Sequence, residues 1–129
     1  MTRAELINIA KQARERAYAP YSGFFVGAAV ETADGRVFTG CNIENASFSP
    51  TCCAERVAIF KAVSESVKDF RAIAVVGGKE GESVDAPCYP CGVCRQVMAE
   101  FCAPDTAVYF ADGSMMTVGE LLPRSFDLS

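Results

Sequence analysis

The chain has 129 residues, a mass of 13.8 kDa and a formal net charge of −4, from 12 basic and 16 acidic side chains. Because domains most often have about 100–150 residues, we expect residues 1–129 to form a single domain. The acidic balance offers no basic excess for a nucleic acid, and no apolar run reaches the roughly 20 residues of a membrane span. We therefore expect neither a nucleic acid nor a membrane as a partner.

Hydrophobic periodicity and turn residues predict four helices and four strands. The first helix begins with the capping-box pair Thr2 and Glu5 and ends at Ala19-Pro20, because the residue before proline disfavours the helical region. The other predicted elements, in chain order, are strands over 26–32 and 36–40, a helix over 52–64, a strand over 70–76, a loop over 77–81, a helix over 92–101, a strand over 107–111 and a short helix capped by Thr117 and Glu120. Helices interleaved with apolar strands predict a mixed sheet with helices on its faces.

Seven cysteines and no histidine restrict the chemistry that the chain can perform. An odd cysteine count does not fit a simple disulfide framework, and the N-terminus lacks the apolar stretch of a signal peptide, so we expect a reducing, cytoplasmic location. Without histidine, a metal site has to use thiolates or carboxylates. Proton transfer near neutral pH then needs a tuned carboxylate, lysine, tyrosine or thiol.

Two cysteine clusters, over residues 51–56 and 87–96, carry the clearest chemical signal. Each opens a predicted helix, where free backbone N–H groups and the helix dipole favour the thiolate form that binds metal. Three thiolates around one zinc leave the fourth tetrahedral position open for catalysis, whereas four would make a closed structural site. Since Cys88-x-x-Cys91 overlaps Cys91-x-x-Cys94, the spacing allows either kind of site.

Two charged residues follow the first cluster directly. Glu55 lies in the first helical turn, two residues after Cys53, where a carboxylate can move protons beside a metal without ligating it. The alternative is a carboxylate that only complements the helix dipole. Arg56 can offset the net negative charge of zinc bound by three thiolates; its alternative is an ordinary solvated helix arginine.

The linked segments Cys53-Ala54-Glu55-Arg56 and Pro90-Cys91-Gly92-Val93-Cys94-Arg95-Gln96 resemble the zinc nucleoside deaminases. Together with the further matches, the chain is similar to the small, three-cysteine, homotetrameric class of the cytidine deaminase family over about residues 10–126. The further matches are Tyr21-Ser22 with Phe24, Val26-Gly27-Ala28-Ala29, the segment 40–46, and Glu120-Leu121-Leu122-Pro123 with Phe126.

The resemblance implies a fold, a cofactor and an activity. The fold is a three-layer α/β/α sandwich around a five-stranded mixed sheet. The ligands of one Zn²⁺ per chain are Cys53, Cys91 and Cys94, and Glu55 moves protons between the attacking water, N3 of the pyrimidine and the departing amine. The implied reaction is the hydrolysis of cytidine and 2′-deoxycytidine to uridine and 2′-deoxyuridine with release of ammonia, a step of pyrimidine salvage.

The resemblance also implies substrate contacts. Asn42 and Glu44 correspond to residues that hold the ribose hydroxyls, Ala46 to one that offers backbone groups to the base, and Phe24 to the aromatic that stacks on the pyrimidine. Without the resemblance, the sequence favours a loop residue bonded to its own backbone for Asn42 and a core residue for Phe24. Phe126 corresponds to a residue that closes the pocket of a neighbouring subunit.

Phe48 departs from the family pattern, because it stands where a tyrosine often bonds the 5′-hydroxyl of the ribose. Two other functions are retained beside cytidine deamination. One is a structural zinc module with four thiolates, Cys88 included, and no chemistry. The other is deamination of a different aminopyrimidine, such as an antibiotic, against which the Asn42 and Glu44 pair argues because it needs a sugar diol.

Overall fold

A computed structural model describes residues 1–128. It contains five strands and four helices, one strand more than the periodicity predicts. In chain order they are α1 (Arg3–Arg14), β1 (Phe24–Thr32), β2 (Val37–Cys41), α2 (Ala54–Ser64), β3 (Phe70–Lys79), α3 (Gly92–Phe101), β4 (Ala107–Phe110), β5 (Met115–Thr117) and α4 (Val118–Leu121). Among the described residues no helix has the length and apolar character needed to cross a membrane.

The five strands form one mixed sheet in the order β2-β1-β3-β4-β5. The pair β3 and β4 is parallel, and the other neighbouring pairs are antiparallel. The α3 helix makes the crossover between the two parallel strands, as such a connection requires. The five-stranded mixed sheet that the family resemblance implies is therefore confirmed.

Side chains alternate between two cores because successive strand residues point to opposite faces of a sheet. On one face, Ala29 and Ala74 pack with Leu6 and Ala10 of α1. On the other face, a larger core lies beneath the remaining helices, with Ile59 of α2 as one of its buried members. Helices thus cover both faces, and the three-layer α/β/α arrangement is confirmed.

The missed strand is β5, which has only three residues and pairs antiparallel with β4. Its residues lie between the predicted Asp112-Gly113 turn and the capping box of Thr117 and Glu120, both of which the structure contains. A segment this short has too few residues to show a period of two. Only its pairing with β4 identifies it as a strand.

The two predicted boundaries that differ most from the structure both involve backbone pairing. The first helix ends at Arg14 rather than at Ala19-Pro20, because the following segment turns away and Tyr18 bridges to Ile43. The expected loop over 77–81 begins later, since Gly77 and Gly78 continue β3 in register with β1. Tertiary partners, which local propensity does not encode, decide both boundaries.

A substitution at Gly27 tests the close approach of α1 to the sheet. A Cβ atom at this position would overlap the carbonyl oxygen of Ala10 and the backbone nitrogen of Arg14. We expect Gly27→Ala to lower the free energy of unfolding by about 3 kcal/mol, because relief requires α1 to shift away from the sheet. Urea denaturation gives this quantity directly.

Gly92→Ala is the matched control, because an added Cβ there meets no atom within 4 Å. We expect its free energy of unfolding to stay within about 0.5 kcal/mol of the wild-type value. Equal stability of the two variants would contradict the packing described for α1.

Candidate active site

Three cysteines converge where two helices begin. Cys53 is the N-cap of α2, Cys91 is the N-cap of α3, and Cys94 lies in the first turn of α3. The Sγ atoms of Cys53 and Cys91 are 3.8 Å apart, and those of Cys91 and Cys94 are 3.5 Å apart. All three sulfur atoms lie within 4.8 Å of one another, which is compact enough for a single metal ion.

The surroundings of Cys53 stabilise negative charge on its sulfur atom. Hydrogen bonding from Cys94 lowers the pKa of the Cys53 thiol to about 5 against the opposing effect of burial, and Arg56 acts in the same direction as Cys94. Nη2 of Arg56 lies 3.4 Å from Sγ of Cys53. The hydrogen bond with Cys53 and, after it, burial raise the pKa of the Cys94 thiol. Thiolate ligands with an adjacent cation suit Zn²⁺, so the residues present fit this metal.

Glu55 lies beside the cluster in the first turn of α2, and only 4% of its surface is exposed. Burial raises the pKa of its carboxyl group to about 7, partly opposed by a hydrogen bond from its own backbone N–H. Cys53 and Arg56, its neighbours along the chain, contribute smaller and opposite effects. The position is that of a carboxyl group shielded from water and set next to a candidate metal centre.

A cleft of about 280 Å³ opens onto the cluster. Cys53, Cys91 and Glu55 line its floor, so the cluster faces a space that can admit a small molecule. Phe24, at the start of β1, also lines the cleft and is 37% exposed, which excludes the alternative that it is a core residue. An aromatic ring on a cleft wall offers a surface on which a planar base can stack.

Asn42 holds the beginning of β1 in place. Its Oδ1 accepts from the backbone N–H of Val26 at 2.8 Å, and its Nδ2 donates to the carbonyl of Phe24 at 2.8 Å. Both bonds are made to residues of β1. The alternative from the sequence, an asparagine bonded to the backbone of its own loop, is therefore not what the structure contains. An amide side chain has four hydrogen-bonding sites, so capacity remains for a ligand in the cleft.

Glu44 accepts three hydrogen bonds from the segment that follows α1. The backbone N–H groups of Tyr21 and Ser22 donate to Oε1 at 2.9 and 3.1 Å, and the Ser22 hydroxyl donates to Oε2. The Ser22 hydroxyl is the largest of the influences that lower the pKa of Glu44. A carboxylate at the wall of the cleft favours hydroxyl donors and disfavours phosphate.

Three of the residues implied by the resemblance lie outside the cleft of their own chain. Phe48 is 83% exposed and lines a neighbouring pocket that shares Ser22, Glu44 and Thr51 with the cleft. Phe126 is 68% exposed, and its backbone is bonded to the Gln96 side chain of α3. Ala46 is exposed as well and does not line the cleft.

Cys88 lines the cleft but is not part of the sulfur cluster that forms the candidate metal centre. It precedes α3 and packs against Gly77, where an added Cβ would come within 2.7 Å of its Sγ atom. Burial raises the pKa of its thiol to about 11, which opposes formation of the thiolate that metal binding needs. This placement favours the open three-thiolate site over the closed four-thiolate alternative.

Several residues that line the cleft have no role predicted from the sequence. Ser22, Thr51 and Tyr89 are the polar members of this group. Ser22 lies within the Tyr21-Ser22 match to the family pattern, which was the available signal. Thr51 and Tyr89 lie within the two cysteine clusters, and nothing in their spacing marks them as cleft residues.

Comparison with known proteins identifies the class of protein to which this fold and site belong. The family model described as the cytidine and deoxycytidylate deaminase zinc-binding region matches residues 1–111. The cytidine deaminase of Sporosarcina psychrophila is 52% identical over 126 residues, covering 95% of this chain and 89% of that protein. That of Halalkalibacterium halodurans is 54% identical over 130 residues, covering 98% and 95%.

A solved structure agrees with these relatives. The crystal structure of cytidine deaminase from Burkholderia pseudomallei matches with a TM-score of 0.88 at 49% identity, covering 98% of this chain and 100% of that one. The chain belongs to the family of zinc-binding cytidine and deoxycytidylate deaminases, and the resemblance found in the sequence is confirmed.

Two serine variants test which thiols bind the metal. We expect Cys94→Ser to lose zinc, because it removes one of three ligands, whereas Cys88→Ser retains about one zinc per chain. Zinc is measured by elemental analysis after dialysis against a weak chelator. Comparable zinc loss in both variants would indicate a four-thiolate site and contradict the open site.

Proposed function

We propose that this chain is a zinc-dependent cytidine deaminase, which hydrolyses cytidine and 2′-deoxycytidine to uridine and 2′-deoxyuridine and releases ammonia. The observation that carries the proposal is one cleft lined by two cysteines of the sulfur cluster, the buried carboxyl of Glu55 and the polar pair Asn42 and Glu44. This combination supplies a metal site, a proton carrier and hydroxyl partners within one small space. The similarity to curated cytidine deaminases supports the same substrate.

Cys53, Cys91 and Cys94 are the proposed ligands of one Zn²⁺ per chain. Bound zinc supplies a Lewis acid that makes a water molecule nucleophilic near neutral pH. The guanidinium of Arg56, 3.4 Å from Sγ of Cys53, offsets part of the negative charge that three thiolates bring to the centre. Three protein ligands also leave a coordination position for the reaction.

Glu55 is the proposed proton carrier. It accepts a proton from the attacking water and delivers it to N3 of the pyrimidine; it then accepts the proton of the new C4 hydroxyl and delivers it to the amine that leaves C4. Water adds to C4, the C4–N bond breaks, and uridine and ammonia are the products. Because Glu55 is buried beside the cleft, bulk water does not compete for these protons.

The cleft walls account for recognition of a nucleoside. We propose that Phe24 stacks on the pyrimidine and that Asn42 and Glu44 bond hydroxyls of the sugar. Glu44 and the net charge of −4 disfavour a phosphorylated substrate, because a phosphate would add negative charge beside a carboxylate. An aminopyrimidine without a sugar diol would leave this polar pair unsatisfied.

The remaining proposals concern the assembly. We propose a cytoplasmic homotetramer of single-domain chains, since thiolate ligands need a compartment that keeps them reduced. Phe126 is exposed and lies away from the cleft of its own chain, so its ring is available to a neighbouring subunit. Ala46 and Phe48 are exposed in the same way, and Phe48 offers no hydroxyl to the 5′ end of a ribose.

The Glu55→Gln variant tests the proton carrier. We expect the variant to retain zinc while kcat for cytidine falls by about two to four orders of magnitude, since an amide does not relay protons. Loss of ultraviolet absorbance of cytidine measures turnover, and elemental analysis measures zinc.

Glu65→Gln, at the opposite end of α2, is the matched control and should turn over cytidine at the wild-type rate. Near-native turnover by Glu55→Gln would remove Glu55 from its role. A zinc-loaded wild-type chain without activity on cytidine would refute the proposed function itself.

Subunit complementation tests the role of Phe126. Glu55→Gln chains carry an intact Phe126, and Phe126→Ala chains carry an intact Glu55. If Phe126 completes the neighbour's site, co-expressed mixed tetramers should exceed the summed activity of the two parents several-fold.

In the control experiment, Glu55→Gln chains are co-expressed with Leu128→Ala chains in place of Phe126→Ala chains. Leu128→Ala removes an exposed apolar side chain close to Phe126 in the sequence. That variant alone should be as active as the wild type. The shared site would be contradicted if the mixed assembly of Glu55→Gln and Phe126→Ala chains were no more active than its two parents. A monomeric native mass of the wild-type protein would contradict it as well.

A further inference from the structure

The Ser22 hydroxyl connects two walls of the cleft. It donates to Oε2 of Glu44 and accepts from the backbone N–H of Phe24 at 3.0 Å. A hydroxyl provides one donor and can accept on its lone pairs, so a single group serves both neighbours at once. The reaction described above gives Ser22 no role.

A tight turn presents this hydroxyl to Glu44. The backbone N–H of Gly23 bonds the carbonyl of Ala19 at 3.0 Å, and Gly23 has a φ of +66°, a conformation that favours glycine. The turn aims the consecutive N–H groups of Tyr21 and Ser22 at Oε1 of Glu44. With the hydroxyl added, the carboxylate sits in a concave set of three donors that fixes both of its oxygen atoms.

The same hydroxyl helps to fix the aromatic wall. Both backbone polar groups of Phe24 are bonded to side chains of the cleft: its N–H to Ser22 Oγ, and its carbonyl to Nδ2 of Asn42 at 2.8 Å. Phe24 is the first residue of β1 and pairs with Lys79 of β3, but the chain that precedes it lies outside the sheet. Ser22 therefore restrains the backbone from which the ring projects.

We propose that Ser22 is a positioning residue that sets Glu44 and Phe24 for binding of the nucleoside. The inference rests on the proposed function, in which these two residues contact the sugar and the base. Ser22 acts on binding and not on proton transfer, because its two partners belong to the walls of the cleft and not to the sulfur cluster. Its loss should therefore change KM far more than kcat.

A series of substitutions at position 22 tests this role by steady-state kinetics with cytidine. We expect Ser22→Ala to raise KM about tenfold, with kcat within about threefold of wild type. Ser22→Thr keeps the hydroxyl and should return KM to within about twofold of wild type. Ser22→Cys carries a weaker donor and should give an intermediate KM, which decides the question if the alanine variant does not fold.

Ser64→Ala is the matched control. It removes a serine hydroxyl that donates to the carbonyl of Lys61 at the C-terminal end of α2, the end away from the sulfur cluster. Its KM should equal that of the wild type. An unchanged KM in Ser22→Ala, or no recovery in a folded Ser22→Thr, would overturn the proposal.

A double-mutant cycle separates positioning from direct contact with the substrate. In a Glu44→Ala background, Ser22→Ala should lower kcat/KM by less than about threefold, because its main partner is already gone. A full tenfold loss in that background would mean that Ser22 acts independently of Glu44, and would refute the positioning of Glu44 by Ser22. If the wild type turns over cytidine and Ser22→Ala has the same KM as the wild type, only this inference is refuted. If the wild type does not turn over cytidine, the proposed function is refuted and the inference with it.

Discussion

The site depends on two helix N-termini that meet at one point. The α2 and α3 helices each place a cysteine at the N-cap, which brings the Sγ atoms of Cys53 and Cys91 to 3.8 Å from each other. This meeting requires close packing of α2 on the sheet. Gly40 permits it, because any side chain at that position would overlap the backbone of α2 at Ala54 and Ala58.

The polar wall of the cleft is joined to the same framework. Ile43 bridges Tyr18 on one side and Cys52 on the other, so the segment after β2 lies between the exit of α1 and the entry of α2. Asn42 and Glu44 flank Ile43 and project their hydrogen bonds toward β1 and the turn at Ser22. The groups proposed to bind a sugar are thereby held in fixed relation to the sulfur cluster by backbone pairing.

Elements of the fold that depend on residues close together in the sequence could be predicted, whereas elements that depend on distant partners could not. The capping boxes at Thr2 and Thr117 depend on residues three positions apart, and both were predicted from the sequence. The extension of β3 through Gly77 and the strand β5 depend on partners distant in the chain, and both were missed. Likewise, the sequence alone could not distinguish Phe24 as a cleft residue from a core residue, because burial is a property of the packed molecule.

The sequence by itself determined the chemistry available: seven thiols, no histidine, and a carboxylate two residues after Cys53. Spacing left open which thiols could share one metal, since overlapping C-x-x-C pairs look alike, and only the family resemblance implied the set of Cys53, Cys91 and Cys94. Only the tertiary structure decided that Cys91 and Cys94 meet Cys53 while Cys88 stays apart against Gly77. The physical reason is that spacing fixes positions within one helix, whereas the separation of two helices is set by the sheet on which they pack.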